Sequence, residues 1–215
     1  MNLLIEKGVK TRAFGVDFES RIKLRWFHQG VRDGRDMADV EPLLKEDGTP
    51  FKVAVLIPTI NNADELDIVL GRLAKQTYTD FEIVISDSKS KDHTKEVCDK
   101  YGVTWIDDPS RNRANACNYA LERMDHDLVL FTDDDTIPPL DWVEKLVRWF
   151  DNPEVGAVGG PNFAPDEDPF GAKCADVAFC TKFMTAGTRY GAQPKGKLVP
   201  ITHNLSLIHI SEPTR

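Results

Sequence analysis

The strongest constraint on the fold is a regular alternation, from Phe51 onward, of short apolar runs with segments that have helical spacing. The apolar runs of strand length lie at 53–57, 81–85, 103–106, 128–131 and 155–158. Between them, helices are predicted around 66–73, at 92–101, at 112–123 and after Pro139. This alternation predicts an α/β fold with a mostly parallel sheet, right-handed crossovers and helices on both faces.

The chain divides into three predicted parts. Residues 1–50 are mixed and polar, and they are predicted to form a short helical or irregular extension. Residues 51–204 carry the α/β pattern and end in a predicted long functional loop, 160–200, with one short helix around 175–184. Residues 205–215 resemble the translation of an adapter used in preparing sequencing libraries. We therefore expect a non-native tail on a truncated domain, with a natural carboxyl-terminal tail as the alternative.

Composition places the chain among ordinary globular proteins, with 41% hydrophobic and 29% charged residues. A formal net charge of −8 argues against a general nucleic-acid-binding protein, which would carry a basic face. The four cysteines show neither a Cys-x-x-Cys pair nor zinc-ligand spacing. Cys98 and Cys117 lie on predicted helices, which favours buried free thiols in a reduced compartment. No apolar run approaches the ~20 residues that span a bilayer. From the cysteines we expect a cytoplasmic protein, or one at the cytoplasmic face of a membrane.

Carboxylates directly follow two of the predicted strands. Asp133, Asp134 and Asp135 come behind the fourth apolar run, and Asp87 comes behind the second. The carboxyl ends of parallel strands meet at one edge of the sheet, where open α/β sheets bind their ligands. Three crowded carboxylates repel one another by roughly 1 kcal/mol per pair at 4 Å in water, and a hard cation such as Mg²⁺ or Mn²⁺ would remove that penalty. The pattern therefore predicts a metal-assisted site for a nucleotide-diphosphate donor at this edge.

The carboxylates also have structural interpretations. Asp87 and Asp92 can cap a turn and a helix, and capping is the favoured interpretation for Asp92. The triplet could be a solvated loop that stabilises the amino end of the helix after Pro139. His93 and His126 are expected to be surface residues rather than catalysts.

The segment 73–94 carries a specific combination of residues. Gln76 and an aromatic residue precede Phe81-Glu82, an apolar strand, and the pattern Asp-x-x-Ser-x-Asp-x-Thr at 87–94. Together with the Asp-x-Asp form of the triplet at 133–135, this combination resembles the family 2 glycosyltransferases, whose fold is the Rossmann-like GT-A fold.

The resemblance covers about 53–204, and its carboxyl-terminal part is expected to be incomplete. Later matches lie at 159–162 and 202–204. The turn that begins at Pro58 is a weaker match, because Ile60 and Asn62 depart from the family pattern.

What the resemblance implies is a donor site at the predicted sheet edge. The residues that would hold the base and the ribose are Pro58, Thr59, Asn61 and Asp87. Arg113 would meet diphosphate oxygens, which suit a guanidinium, although an exposed helix charge explains this residue equally well. Asp135 would be the principal ligand of Mg²⁺ or Mn²⁺. Asp133 would contact the ribose or the metal, and Asp134 would also bind the donor.

The reaction that the resemblance implies is an inverting, metal-dependent transfer of a sugar from a nucleotide-diphosphate sugar. The acceptor hydroxyl would belong to a glycan, a lipid-linked or another acceptor, and membrane association of the full-length protein is left open. The family's base lies downstream of Asn204, so we expect this chain to lack it and to turn over poorly. The alternatives are an inactive nucleotide-binding fragment and a nucleotidyltransferase. A nucleotidyltransferase of similar fold is expected to carry a Gly-rich, basic loop just after the first strand. It is disfavoured because 58–64, which follows that strand, contains no Gly, Lys or Arg.

Overall fold

The computed structural model describes residues 24–26, 42–45, 47–152, 155–159, 169–171, 174 and 205–208, with 24–26 and 205–208 described as backbone alone. Most of the predicted 160–200 loop lies outside the described residues. The same holds for the whole of its predicted helix, 175–184, for the 202–204 match and for most of the amino-terminal extension.

The described strands form one seven-stranded sheet with the order β1-β6-β7-β5-β2-β3-β4. The strands are β1 (Leu24–Trp26), β2 (Val53–Thr59), β3 (Glu82–Asp87), β4 (Thr104–Asp107), β5 (Leu128–Phe131), β6 (Ala157–Gly159) and β7 (Leu205–Ile208). Strands β5, β2, β3 and β4 are mutually parallel, and β1 is parallel to β6. Only β7 among these strands is antiparallel, and it lies between β5 and β6. The prediction of a mostly parallel sheet is confirmed.

Strand bounds differ from the sequence prediction at two places that matter. Pro58 does not end β2, because it lies opposite Ser86 within the ladder and Thr59 lies opposite Asp87. The lost amide hydrogen of a proline is tolerated best close to the end of a strand. Leu24–Trp26, predicted to be helical or irregular, instead pairs in parallel with β6 and occupies what would otherwise be an open sheet edge.

The pairing of β7 is a finding that the sequence prediction did not contain. Val129 of β5 faces Leu207, and Val158 of β6 faces Ser206. A strand pairs through its backbone hydrogen bonds, so this position does not test the origin of the segment. That 205–215 is a non-native tail stays a prediction.

Helices lie on both faces of the sheet, as predicted. They are α1 (Ala63–Leu73), α2 (Thr94–Tyr101), α3 (Arg113–Leu121) and α4 (Trp142–Val147), which continues into a 3-10 turn, Arg148–Asp151. Strand β2 is buried on both sides: Val55 and Ile57 pack in the cluster of α1, α2 and α4, whereas Leu56 packs in the cluster of α3. Among the described residues, no helix has the length and apolar character needed to cross a bilayer.

Helix α2 begins two residues later than predicted because Asp92 acts as a cap. Its Oδ1 accepts hydrogen bonds from the amide and the hydroxyl of Thr94, while its Oδ2 accepts from the amide of Ala63 at 3.0 Å. One carboxylate thus satisfies the first amide of both α1 and α2, and the favoured capping interpretation of Asp92 is confirmed. The helix ends at Gly102, whose φ of 64° is the left-handed conformation that suits glycine.

Two of the cysteines are the buried free thiols that the sequence predicts. Cys98 and Cys117 are both free and buried, and burial raises the pKa of each thiol to about 11. Neither thiol is therefore ionised near neutral pH. Cys174 is free and exposed.

Candidate active site

The predicted carboxylates meet at one edge of the sheet. Because β2, β3 and β5 are parallel, Thr59, Asp87 and the triplet 133–135 all lie at their carboxyl ends. The hydroxyl of Thr59 donates to Oδ2 of Asp134 at 2.6 Å, and the amide of Ser88 donates to the carbonyl of Thr59 at 2.9 Å. These contacts join the ends of three strands into one surface, which we call the carboxylate edge.

The three carboxylates of the triplet have different environments. Asp133 forms an ion pair with Arg113, the first residue of α3, and Asp134 accepts the hydroxyl of Thr59. Asp135 is exposed, and within the described part of the chain it has no hydrogen-bond or ion-pair partner. A guanidinium and a hydroxyl thus already neutralise or orient two of the three groups. That a cation relieves the remaining repulsion stays a prediction.

Asp87 lies inside the edge rather than on its surface. It is 3% exposed, and its two oxygens accept from the amide of Ser90 at 2.9 Å and from the indole Nε1 of Trp105 at 3.1 Å. The turn-capping interpretation of Asp87 is therefore realised in this structure. Its part in donor binding stays a prediction.

Asn61 connects the loops that follow β2 and β3. Its backbone has a φ of 50°, which asparagine tolerates better than most residues. Its amide donates to the hydroxyl of Ser90 at 2.8 Å, and its Oδ1 accepts from the amide of Lys91 at 2.7 Å. Pro58, earlier in the chain, is buried within β2. The residues predicted to hold the base thus lie where the loops after β2 and β3 are connected by hydrogen bonds.

Arg113 begins a helix whose amino end is well capped. Oδ1 of Asn112 accepts from the amides of Ala114 at 3.0 Å and Asn115 at 3.3 Å. The first turn of α3 contains no acidic residue, so the positive end of the helix dipole is not offset by its own side chains. The side chain of Arg113 is 48% exposed and can reach solvent while it pairs with Asp133.

Comparison with known proteins decides the family. The family model for glycosyl transferase family 2 matches residues 54–208, which is more than half of the chain. The chain belongs to glycosyl transferase family 2. The predicted family is confirmed on this match, which includes every donor and metal residue predicted above.

Relatives of this family 2 chain include glycosyltransferase AglE of Haloferax volcanii, 29% identical over 119 residues that cover 52% of this chain and 39% of AglE. An N-acetylglucosaminyltransferase of Azorhizobium caulinodans is 30% identical over 164 residues, which cover 69% of this chain and 41% of that protein. The chain thus spans about two fifths of the length of these relatives.

A solved structure with the same fold is the mannosyltransferase PcManGT from Pyrobaculum calidifontis, in complex with GDP-Man and Mn²⁺. It is 28% identical, with a TM-score of 0.50, over 60% of this chain and 40% of that chain. The predicted GT-A fold of this family 2 chain is confirmed.

Sequence reasoning missed Asp108 of the family 2 domain. This carboxylate is 0% exposed and accepts from the hydroxyls of Ser88 at 2.8 Å and Ser110 at 2.6 Å. Its amide donates to the carbonyl of Asp87 at 2.7 Å. Burial alone raises its pKa, but the hydrogen bonds from Ser110 and Ser88 outweigh that and lower it below the ordinary value. Its position just after a predicted strand, like that of Asp87, is the signal that could have found it.

A cavity of about 920 Å³ lies at the opposite, amino-terminal edge of the strands. There His126, expected to be a surface residue, is only 12% exposed in its side chain, and its Nε2 lies 2.9 Å from Oε2 of Glu82. His93 is exposed, as expected. Because ligands of open parallel sheets bind at the carboxyl ends of the strands, the carboxylate edge and not this cavity is the candidate active site.

The oxygen ligands that the carboxylate edge offers are those that Mg²⁺ or Mn²⁺ prefers. Within the described residues no three carboxylate, histidine or cysteine side chains converge as a complete metal cage. Mg²⁺, however, is commonly held by one or two carboxylates together with substrate phosphates and water. The carboxylate of Asp135, which is exposed and has no partner among the described residues, has the chemistry of such a ligand, and Asp133 is two residues away.

Proposed function

We propose that this chain binds a nucleotide-diphosphate sugar at the carboxylate edge, in a protein that transfers the sugar to an acceptor hydroxyl with inversion. The observation that carries the proposal is the Thr59–Asp134 hydrogen bond. It brings the end of β2, and with it Asp87, beside the triplet that follows β5. The complex of the related PcManGT with GDP-Man and Mn²⁺ supports the same combination of donor and cation.

We assign the binding of the base and the ribose to four residues where β2 and β3 end: Pro58, Thr59, Asn61 and Asp87. A carboxylate has about four lone-pair sites, and the observed hydrogen bonds to Asp87 occupy two of them. Acceptor capacity is therefore left for a base N–H or a ribose hydroxyl. Asn61 and Ser90 hold the two loops at a fixed separation, which defines the width of the base site.

The diphosphate is assigned to Arg113 and the amino end of α3. A guanidinium has five N–H donors, so Arg113 can keep its contact with Asp133 while it donates to phosphate oxygens. The capped, acid-free first turn of α3 adds a favourable field for an anion.

The divalent cation is assigned to Asp135, with Asp133 as a ribose or metal contact and Asp134 as the group that anchors the triplet to β2. When bound, Mg²⁺ or Mn²⁺ supplies Lewis-acid stabilisation of the charge on the departing diphosphate. The residues of the chain orient the diphosphate and neutralise its charge. A general base is not assigned to any described residue, and the acceptor class is left open.

The decisive experiment is calorimetric titration of the full chain with UDP and with GDP, each with and without Mn²⁺. We expect one nucleotide to bind more tightly with Mn²⁺, and Asp135→Asn to abolish this gain because the cation loses its unpartnered carboxylate. Asp125→Asn is the matched control, since Asp125 is an exposed aspartate at the amino-terminal edge that pairs with Lys52. Absence of binding in a folded sample, or a Mn²⁺ gain that survives Asp135→Asn, would overturn the proposal.

A second measurement separates transfer from binding alone. Sugar release from UDP- and GDP-sugars, with and without Mn²⁺, reports whether the chain turns over. Binding without release indicates the nucleotide-binding fragment that we expect if the base lies elsewhere. Formation of pyrophosphate from a nucleoside triphosphate and a sugar phosphate would instead indicate the nucleotidyltransferase.

A further inference from the structure

The segment between the triplet and α4 is fastened to the end of α1 by consecutive carbonyl groups. The carbonyl of Pro138 accepts from Nε of Arg72 at 3.3 Å, and that of Pro139 accepts from Nε2 of Gln76 at 2.7 Å. The carbonyl of Leu140 accepts from the amide of Thr77 at 2.8 Å. The three carbonyls thus have donors from one short stretch, 72–77.

Gln76 makes a second contact with the same segment. Its Oε1 accepts the amide of Val143 at 3.0 Å, and Val143 is the second residue of α4. The N-cap residue of α4, Asp141, makes no side-chain capping bond of its own. Because an N-cap side chain normally accepts from the second or third amide of its helix, Gln76 performs this role from a different part of the chain.

The contacts of Gln76 are made inside the protein. The side chain is buried at 5% exposure, so both hydrogen bonds are shielded from water and losing either leaves a buried polar group unsatisfied. The hydroxyl of Thr77 adds a bond to Oε2 of Glu144 at 2.6 Å. The carboxyl-terminal side of the triplet is thereby fixed to α1.

We infer that Gln76, supported by Arg72 and Thr77, is a positioning residue for the cation-binding carboxylate of Asp135. Thr59 and Arg113 hold the triplet at Asp134 and Asp133, and the 72–77 stretch holds the chain again at 138–140. Asp135 lies between the two anchored points and has no described partner of its own. Its place at the edge therefore depends on both anchors. This inference rests on the proposed function.

The test uses Gln76→Met, which keeps a similar volume but removes both hydrogen bonds. We expect the Mn²⁺-dependent gain in UDP or GDP affinity to fall about tenfold, as is usual when the groups that orient a metal ligand are lost. Nucleotide affinity without metal should stay within about twofold, because Asn61 precedes and Gln76 follows the 11-residue helix α1, which separates Gln76 from the base and ribose contacts. Amide hydrogens of 133–143 should exchange faster in the variant, with or without metal.

Gln76→Glu separates positioning from helix capping. It keeps an oxygen that can accept the amide of Val143, but it removes the donor to the carbonyl of Pro139. If Gln76 only stabilises α4, this variant should keep the full Mn²⁺-dependent gain. We expect it to lose the gain as Gln76→Met does. Should Gln76→Met fail to fold, Gln76→Glu and Arg72→Met decide the question.

Tyr101→Phe is the matched control, since it also removes a side-chain bond to a backbone carbonyl, that of Asp67, on α1. It should leave the Mn²⁺ gain unchanged. A gain in affinity that survives in Gln76→Glu, or one that survives in Gln76→Met with unchanged exchange at 133–143, would overturn the positioning role of Gln76 and leave the proposed function standing. If the unsubstituted chain shows no Mn²⁺-dependent nucleotide binding, the proposed function fails and this inference fails with it.

Discussion

At the scale of single residues, the candidate site depends on the hydrogen-bond or ion-pair partner of each carboxylate. Asp134 accepts a hydrogen bond from a hydroxyl, and Asp133 forms an ion pair with a guanidinium. Asp87 accepts hydrogen bonds from an indole and a backbone amide. These choices leave the carboxylate of Asp135 directed to solvent without a described partner. The pairing of Asp133 and Asp134 thus relieves the charge crowding in the triplet and leaves Asp135 as the carboxylate that we propose binds the cation.

Thr59→Val tests the hydrogen bond that joins β2 to the triplet. Valine has nearly the same shape but cannot donate, so we expect a loss of about 1 kcal/mol in the free energy of unfolding and weaker Mn²⁺-dependent nucleotide binding. Thr104→Val is the control, because it removes the bond from Thr104 to Glu82 at the amino-terminal edge with the same substitution. Denaturant unfolding and calorimetry measure the two effects. Equal nucleotide binding by both variants would contradict the assigned role of Thr59.

At the scale of secondary-structure elements, the loops at the carboxylate edge are joined by polar side chains that serve two segments at once. Asp92 caps α1 and α2, Asn61 joins the loops after β2 and β3, and Asp108 joins the loops after β3 and β4. Asp108 is buried and its hydrogen bonds avoid the penalty of desolvation without a partner, whereas Asn61 and Asp92 are exposed side chains that satisfy backbone amides of the loops and helix ends. The loops are therefore ordered as a set.

Asp92→Ala should lower the free energy of unfolding by about 1–2 kcal/mol at pH 7, at the upper end for a cap because two helices lose a partner. Burial raises the pKa of Asp92, but hydrogen bonds from Thr94 and Ala63 outweigh it, so the pKa lies below the ordinary 3.8. A lowered pKa gives a contribution that is present above about pH 4 and is lost as the pH falls through the folded-state value. Urea unfolding of the unsubstituted chain and of Asp92→Ala, at pH 7 and at acid pH, should show that the difference between their free energies of unfolding becomes smaller in acid.

The control for this prediction is Asp99→Ala. Asp99 forms an exposed ion pair with Lys95 within α2, and such pairs contribute little to stability. A loss in Asp99→Ala as large as that in Asp92→Ala would show that the capping contacts are not the cause.

At the scale of the whole molecule, β7 is the strand through which β6 and β1 connect to the parallel core. Its two neighbours, β5 and β6, both pair with it antiparallel. Besides β7, β6 pairs only with β1 among the described strands. The family match also extends to residue 208. Whatever the origin of 205–215, the sheet described here uses its first four residues.

Ending the chain at Asn204 should therefore destabilise it. Loss of β7 exposes the backbone edge of β5 and detaches β6, and we expect the melting temperature to fall by about 4 °C or more. Ending the chain after Ile208 is the control, because it keeps β7. Thermal unfolding of the three chains measures the effect. Equal melting temperatures for all three would mean that the pairing of β7 contributes no stability.

The amino-acid sequence by itself determined the layered architecture and the sheet edge at which the candidate site lies. Apolar runs alternating with helical periods dictate a parallel sheet covered on both faces, and aspartates placed directly after strands must reach its carboxyl edge. Only the tertiary structure decided which partner each carboxylate takes, that Asp108 belongs to the edge, that Gln76 fastens the segment after the triplet, and that 205–208 enters the sheet. The physical reason is distance along the chain: Thr59 and Asp134 are 75 residues apart, and Gln76 and Pro139 are 63 apart. Local periodicity specifies faces and ends of elements, whereas contacts over such separations exist only once the elements have packed.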